Sequence, residues 1–383
     1  MTFKKMTILQ ILPSLDVGGA ERATVDVAAA LAAAGHRALV ISSGGPMVEQ
    51  VVRSGAAHIA YDIGSKNPWV MWKNRQHLID LVKAERIDLV HARSRAPAWS
   101  ALLATRALEV PFVTTFHDAY RSNNAVKKFY NSVMSRGDRV IAISRFVADH
   151  IRTQYPAAQE RIVLIQRGID FSVFNRAEIT VERVEKFRSI HQAPQNIPVL
   201  VMPARLSPAK GHELTLLALS RIGGRSFHCL IVGPDKGHVA YRARLLALTR
   251  RLNLQDKVRF IERADMPVAY ASADLVLSPS QKQEGFGRVP VEAQAMGVPV
   301  IATALGATVE TVLDGETGWL VPAGDVQALA DAIALALSLS SEQRRIMAGK
   351  AIRHARANFD VNRMCAATLD LYAELLSSRR APR

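Results

Sequence analysis

The stretch TILQILPSLDVGGAERATVDVAAALAAAGHRALVIS, residues 7–42, decides the fold. Its first six residues form a β-branched, leucine-rich run too short for a helix, and a glycine turn at Gly18 and Gly19 follows. Residues 20–34 then repeat alanine, leucine and valine at helical spacing, and 38–42 returns to a strand-like run. Strand, helix and strand in that order make the βαβ unit of a parallel sheet. Short apolar runs at 88–91, 112–116, 140–143 and 162–165 extend it into a doubly wound sheet covered on both faces.

A chain of 383 residues is too long for one hydrophobic core and suits two. Between Ile179 and Gln195 the sequence turns polar, and two prolines within residues 193–198 break the pattern. Strand-like runs restart at 199–202 and recur at 227–232, 258–261, 275–277 and 299–302, with helical segments between them. We therefore expect a second doubly wound domain, with the junction at 178/179. Met364, Leu369, Tyr372 and Leu375 share one face of a final helix that should pack on a neighbour. Ligands of such sheets sit outside the carboxyl ends of the strands, so two domains face to face predict a cleft lined by post-strand loops.

Composition narrows the classes. Forty-nine percent apolar and 22% charged residues describe a globular chain, not a disordered one. No apolar run approaches the ~18 residues of a membrane span. Lys4 and Lys5 precede only six apolar residues, which read as a first strand and not as a signal peptide, so a cytoplasmic location is expected. Cys229 and Cys365 lack disulfide or metal-ligand spacing and read as buried thiols. A formal charge of +15 admits nucleic acid, an anionic membrane surface or an acidic substrate as partner. A nucleic-acid binder should set aromatic stackers or a recognition motif within its basic surface, and none is visible, so no nucleic-acid partner is expected. The basic residues crowd locally at Arg121, Lys127, Lys128, Arg136, Arg139, Arg145 and Arg152.

Three loops carry chemistry. The strongest is EGFGRVPVEAQAMG at 284–297, with Glu284 and Glu292 eight apart. Gly285 and Gly287 around Phe286 leave backbone amides open to a ligand. Pro290 suits a first helical position, which would put Glu292 in the first turn of a helix closed by Gly297. A helix start with bare amides attracts phosphate. The second is ARLSPAKG at 204–211, where Arg205 and Lys210 straddle a Ser-Pro turn as a clamp for a diphosphate. The third is the Gly18–Gly19 turn, which is not a full GxGxxG; it serves either a ligand or merely a tight βα turn. His117, in Thr-Phe-His-Asp at 115–118, ends a strand and should face the cleft.

Taken in order, these segments, with SRFVADHI at 144–151, RGID at 167–170 and GETGWLVP at 315–322, resemble glycosyltransferase family 4 over nearly the whole chain. The resemblance implies a GT-B fold of two Rossmann-like domains, 1–178 and 179–362, with residues 363–383 crossing back to the first. It implies a retaining, metal-independent transfer from a nucleotide-diphosphate sugar with no cofactor. Glu284 would meet donor-sugar hydroxyls and Glu292 the ribose. Arg205 and Lys210 would hold the diphosphate, the amides of Gly285 to Gly287 would face the donor, Gly19 would lie near the phosphate, and His117 would sit beside the reacting sugar. The family often has Asn before the glycine at 168, where this chain has Arg167, which either turns toward an anionic acceptor or faces solvent.

The segment HARSRAPAWS at 91–100 is similar to that of bacterial lipopolysaccharide-core and surface-glycan enzymes, which would make the acceptor a glycan or lipid-linked glycan. Val126, Phe129, Tyr130, Val133 and Met134 share a plausible helix face beside Lys127 and Lys128. That face is either a docking surface for the anionic inner membrane or an ordinary core-facing one. A sugar-nucleotide epimerase is the rival of similar architecture, and a dehydrogenase is disfavoured by the missing GxGxxG.

Overall fold

Valine, isoleucine and leucine runs bounded by turns give the strands of the computed structural model, which describes residues 5–16, 18–222, 224–235 and 237–378. The chain divides into two units. Unit 1 comprises residues 1–168 and 361–383 and unit 2 the contiguous residues 169–360. The sequence reading placed these limits at 178/179 and 362/363. The junction falls earlier because the segment after Gly168 belongs to unit 2. Its Ile169 amide donates to the Phe359 carbonyl at 2.8 Å, and Phe174 packs edge-on against Tyr270 with 6.0 Å between centroids.

Unit 1 holds strands β1 (Thr7–Ile11), β2 (Arg37–Ser42), β3 (Ala57–Ala60), β4 (Leu89–Ala92), β5 (Phe112–Phe116), β6 (Arg139–Ala142) and β7 (Ile162–Leu164). They form one parallel sheet in the order β3-β2-β1-β4-β5-β6-β7. Its helices are α1 (Gly19–Ala33), α2 (Val48–Arg53), α3 (Pro68–Ala84), α4 (Arg95–Leu108), α5 (Ala125–Asn131) and α6 (Arg145–Gln154). The strand order reverses between β1 and β4, which pair directly. This is the doubly wound switch point where ligands collect.

Unit 2 begins with α7 (Val181–Ile190), then alternates β8 (Val199–Pro203), α8 (His212–Arg221), β9 (His228–Val232), α9 (Val239–Arg251), β10 (Val258–Ile261), α10 (Met266–Ala271), β11 (Leu275–Ser278), α11 (Arg288–Ala295), β12 (Val300–Thr303), α12 (Thr308–Thr311), β13 (Gly318–Val321), α13 (Val326–Ser338) and α14 (Ser341–Asn358). Its parallel sheet runs β10-β9-β8-β11-β12-β13. A capping box at Ser340 and Gln343 starts α14 by satisfying two otherwise unpaired amides.

The last helix, α15 (Val361–Ser378), belongs to unit 1 and buries Met364, Cys365, Tyr372 and Leu375 in its core beside Leu12, Leu31 and Val40. Tyr372 hydroxyl lies 2.5 Å from His91 Nδ1, and His91 Nε2 lies 2.7 Å from Thr115 Oγ1. A buried polar chain thus runs from α15 through β4 to β5. Both cysteines are buried, and neither is in a disulfide.

The proposed face of α5 divides in two. Val133 and Met134 lie beyond its end, fully buried, because the chain tightens into a 3-10 turn over 132–135. Val126 and Phe129 stay exposed.

Candidate functional site

In unit 2 the loops after β8 and β11 are locked together by backbone. The Gln281 amide donates to the Ala209 carbonyl at 2.7 Å. Gly211 caps α8 at φ 80, and a β-carbon there would lie 2.0 Å from the Pro279 carbonyl oxygen. Only glycine permits that approach. The consequence is that Lys210 Nζ reaches Glu284 Oε1 at 2.6 Å, with both side chains a quarter to a third exposed. Ser280 Oγ donates to the same carboxylate oxygen. A parallel bridge between Glu284 and Gly306 and a 3.0 Å bond from the Ala307 amide to the Glu284 carbonyl fix the backbone beneath.

Glu292 is 8% exposed and held from two sides. Arg288 Nη2 and Nε approach its Oε1 at 2.8 and 3.0 Å, and the Tyr270 hydroxyl donates to Oε2 at 2.8 Å. Burial, and then the Glu292 carboxylate, push Tyr270 well above the usual phenol range, so it keeps the proton that it donates. The helix α11 starts at Arg288, so Pro290 is its third residue and Glu292 lies in the second turn, not the first. Proline is tolerated there because the amides of the first turn have no helical partner. Gly287, at φ 76, supplies the turn into the helix. Phe286 offers a ligand only its backbone, since its ring is buried and packs edge-on against Phe359 at 5.6 Å between centroids.

Arg205 follows β8 at the exposed start of the same loop and among the described residues makes no salt bridge, while Lys210 is turned onto Glu284. Ser280, Tyr270 and Arg288 escaped the sequence reading. Arg288 was detectable, standing one helical turn before Glu292 at (i, i+4).

In unit 1, His117 follows β5 and faces a cavity of about 20 Å³, room for one water, lined also by Arg93, Thr115, Arg167 and Thr368. Both ring nitrogens of His117 are buried without a hydrogen-bond partner, although the residue as a whole is partly exposed. Arg93 is held by Gln10, its Nε 3.0 Å from Oε1. Arg167 does not face solvent: it is 5% exposed and donates from Nη2 to the Gly19 carbonyl. A β-carbon on Gly19 would lie 2.5 Å from Arg167 Nη1, so glycine here makes room for the guanidinium. Gly18 precedes α1 as its cap in extended backbone.

Burial, then Arg167 and Arg93, hold the His117 imidazole well below the usual histidine range. Burial does the same to His91, reinforced by Arg93 and His117. In unit 2 it brings His212 down to about 4. These rings are neutral in the folded protein but charge in the unfolded chain below pH ~6.5. Their stabilising contribution is therefore complete above that pH and is lost as pH falls below it. For His212 alone, going from pH 7 to pH 5 should cost about 2 kcal/mol. His91 and His117 act in the same direction on unit 1. Thermal melts at the two pH values should show both units melting lower at pH 5, and His212→Gln should flatten the dependence for unit 2.

Similarity to known proteins falls on this same frame. A family model described as Glycosyltransferase Family 4 matches residues 17–173, and one described as Glycosyl transferases group 1 matches 183–354. The crystal structure of a glycosyltransferase from Rickettsia africae is 38% identical, superposes with a TM-score of 0.92, and is matched over 98% of this chain and 99% of that one. Anabaena HepE, solved in complex with UDP and glucose, is 26% identical with a TM-score of 0.82 over 97% of this chain and 100% of that one. A D-inositol 3-phosphate glycosyltransferase from Xylanimonas cellulosilytica is 28% identical over 77% of this chain and 73% of its own length. With two parallel-sheet Rossmann-like units and both family halves in sequence, the chain belongs to the GT-B glycosyltransferases, family 4 in its first unit and group 1 in its second.

Proposed function

We propose that the protein transfers a hexose from a nucleotide-diphosphate sugar, with retention of configuration, to a glycan or lipid-linked glycan acceptor in bacterial surface-polysaccharide or lipopolysaccharide synthesis. The observation that carries this reading is the Glu284 carboxylate, held between Lys210 and Ser280 at the carboxyl ends of β8 and β11. In that position Glu284 takes donor-sugar hydroxyls, and Lys210 is ready to exchange its carboxylate partner for a phosphate. Glu292, kept in one orientation by Arg288 and Tyr270, takes the ribose hydroxyls. The amides of Gly285 to Gly287 supply uncharged donors to the same ligand.

The bond between the anomeric carbon and the diphosphate oxygen breaks, and its electron pair leaves with the nucleoside diphosphate. Arg205 and Lys210 take the charge that develops there. The acceptor oxygen bonds the anomeric carbon from the same face, and its proton passes to the departing phosphate oxygen. No cofactor enters this scheme, and no metal is needed to neutralise the leaving group. His117, neutral and with both ring nitrogens unpaired, is suited to a hydrogen bond with an incoming hydroxyl. Support for a UDP-sugar donor comes from the UDP and glucose held by HepE, and for a phosphate-bearing acceptor from the name of the inositol-phosphate relatives. Arg93 and Arg167 beside His117 give that end of the sheet a positive field that favours an anionic acceptor nearby. The reading places the enzyme in the cytoplasm at the inner face of the membrane, and among the described residues no helix is long and apolar enough to cross one.

A panel of UDP- and GDP-sugars tests the proposal, with UDP-glucose first and Glu284→Ala in parallel. One donor should raise the melting temperature of the wild type, by about 2.7 kcal/mol of stability at a hundredfold excess over Kd, and release nucleoside diphosphate slowly. Both responses should vanish in the variant. Indifference to every donor would overturn the reading.

A further inference from the structure

Unit 1 carries an aromatic and basic face that the transfer reaction leaves unused. Trp69 and Trp72, in the first turns of α3, are 79% and 60% exposed, and Val126 and Phe129 on α5 are 79% and 59% exposed. Scattered apolar residues on a surface are ordinary, but a cluster of them marks a binding surface. Contacts through α4 connect the two pairs. Ser100 Oγ donates to the Met71 carbonyl at 2.9 Å, and the adjacent Trp99 packs on Phe129 with 5.1 Å between centroids. Trp99 Nε1 also donates to the Tyr130 carbonyl at 3.1 Å.

Charge follows the same face. Lys66 and Lys73 flank the tryptophans, Lys127 and Lys128 lie between Val126 and Phe129, and all four lysines are exposed. Arg136 sits over the rings of Trp99 and Phe129 at 5.1 and 5.3 Å. The segments that build the face, residues 65–79, 93–108 and 119–137, contain no aspartate or glutamate.

Topology gives the face a direction. A helix that follows a parallel strand starts at that strand's carboxyl end, and α3, α4 and α5 follow β3, β4 and β5. Their first turns therefore lie along the carboxyl edge of the sheet, the edge at which His117 follows β5. Indole and phenyl rings beside lysines suit the boundary between headgroups and acyl chains, where the apolar part is buried and the ammonium groups meet anionic lipid. A second copy of the chain would set the same cations against each other, which disfavours self-pairing of this face.

We propose that unit 1 docks on an anionic lipid bilayer through Trp69, Trp72, Val126 and Phe129, with Lys66, Lys73, Lys127 and Lys128 against the headgroups. The carboxyl edge of its sheet then meets acceptors in the membrane plane. The use of this docking rests on the lipid-linked acceptor reading, but the docking itself is tested without catalysis.

The full chain is sedimented with phosphatidylcholine vesicles with and without phosphatidylglycerol, and tryptophan emission is followed. The wild type should bind the anionic vesicles only, with a blue shift. Trp69→Ala with Trp72→Ala, and Lys127→Glu with Lys128→Glu, should each weaken binding by about tenfold or more. Because all four side chains are exposed, both double variants should keep the wild-type melting temperature and vesicle-free donor hydrolysis. Failure of donor hydrolysis in the wild type overturns the transferase reading alone. Wild type left in the supernatant, undiminished binding in both double variants, a dimer broken by the tryptophan changes without vesicle binding, or capture of an RNA oligonucleotide in place of vesicles would each overturn the docking.

Discussion

Replacing Lys210 with alanine should lower kcat/KM for sugar transfer by roughly 10²- to 10⁴-fold while leaving the melting temperature nearly unchanged. The two halves of that expectation come from the same 2.6 Å contact with Glu284. As an ion pair it is a quarter to a third exposed, and pairs of that kind contribute at most about 1 kcal/mol to stability. As part of the proposed donor site it is a fixed cation at the place where charge builds on the leaving diphosphate. Its loss also leaves Glu284 with Ser280 as its remaining side-chain donor. Lys210→Arg should recover little, because a planar guanidinium does not fill the place of a compact ammonium. Steady-state kinetics at saturating donor, with a thermal melt alongside, check both halves. Activity within tenfold of wild type would mean that the leaving group's charge is taken up elsewhere.

The second large effect should come from a residue with no chemistry. Gly211→Ala meets the Pro279 carbonyl oxygen at 2.0 Å and also carries a β-carbon into backbone at φ 80. The strain of the left-handed conformation costs about 1–2 kcal/mol. The clash obliges the loops after β8 and β11 to move apart. Misplacement of a positioned group by about an ångström costs on the order of 10²-fold in rate, so transfer should fall that far and the melting temperature by several degrees. Gly224→Ala is the control: it sits at φ 71 with nothing within 4 Å, so it should pay the backbone strain without touching activity. Equal activity losses in the two variants would show that loop separation is not the cause.

The parts of the fold legible in sequence were those buried on both faces. Internal strands such as β1, β5 and β9 are mainly apolar and buried almost throughout, because a parallel strand covered by helices has no solvent-facing side. The strands that escaped, β3 and β13, are the edges of their sheets. Ala57 and Ala60 are exposed in β3, and β13 opens on Gly318, so neither shows a continuous run. Site residues followed a similar division. Glu284, Lys210 and Glu292 were legible because glycines and prolines mark the loops that hold them. The turn register was not, since Pro290 fits either the first or third helical position. Arg167 and Tyr270 were hidden for another reason: burial beside Gly19 or Glu292 comes from residues distant in sequence, and no local pattern announces it.

The core of unit 1 is closed by α15, which is encoded after the whole of unit 2. On a ribosome the chain emerges from its amino end, so residues 169–360 are available to fold as a contiguous body while the earlier sheet still lacks Met364, Tyr372 and Leu375. The half that is made first is thus the half that is finished last. Until the final helix arrives, the hydroxyl partner of His91 is missing and the residues of β1 and α1 that share a core with α15 lack part of their cover, so the nascent first sheet keeps apolar surface exposed through the synthesis of unit 2.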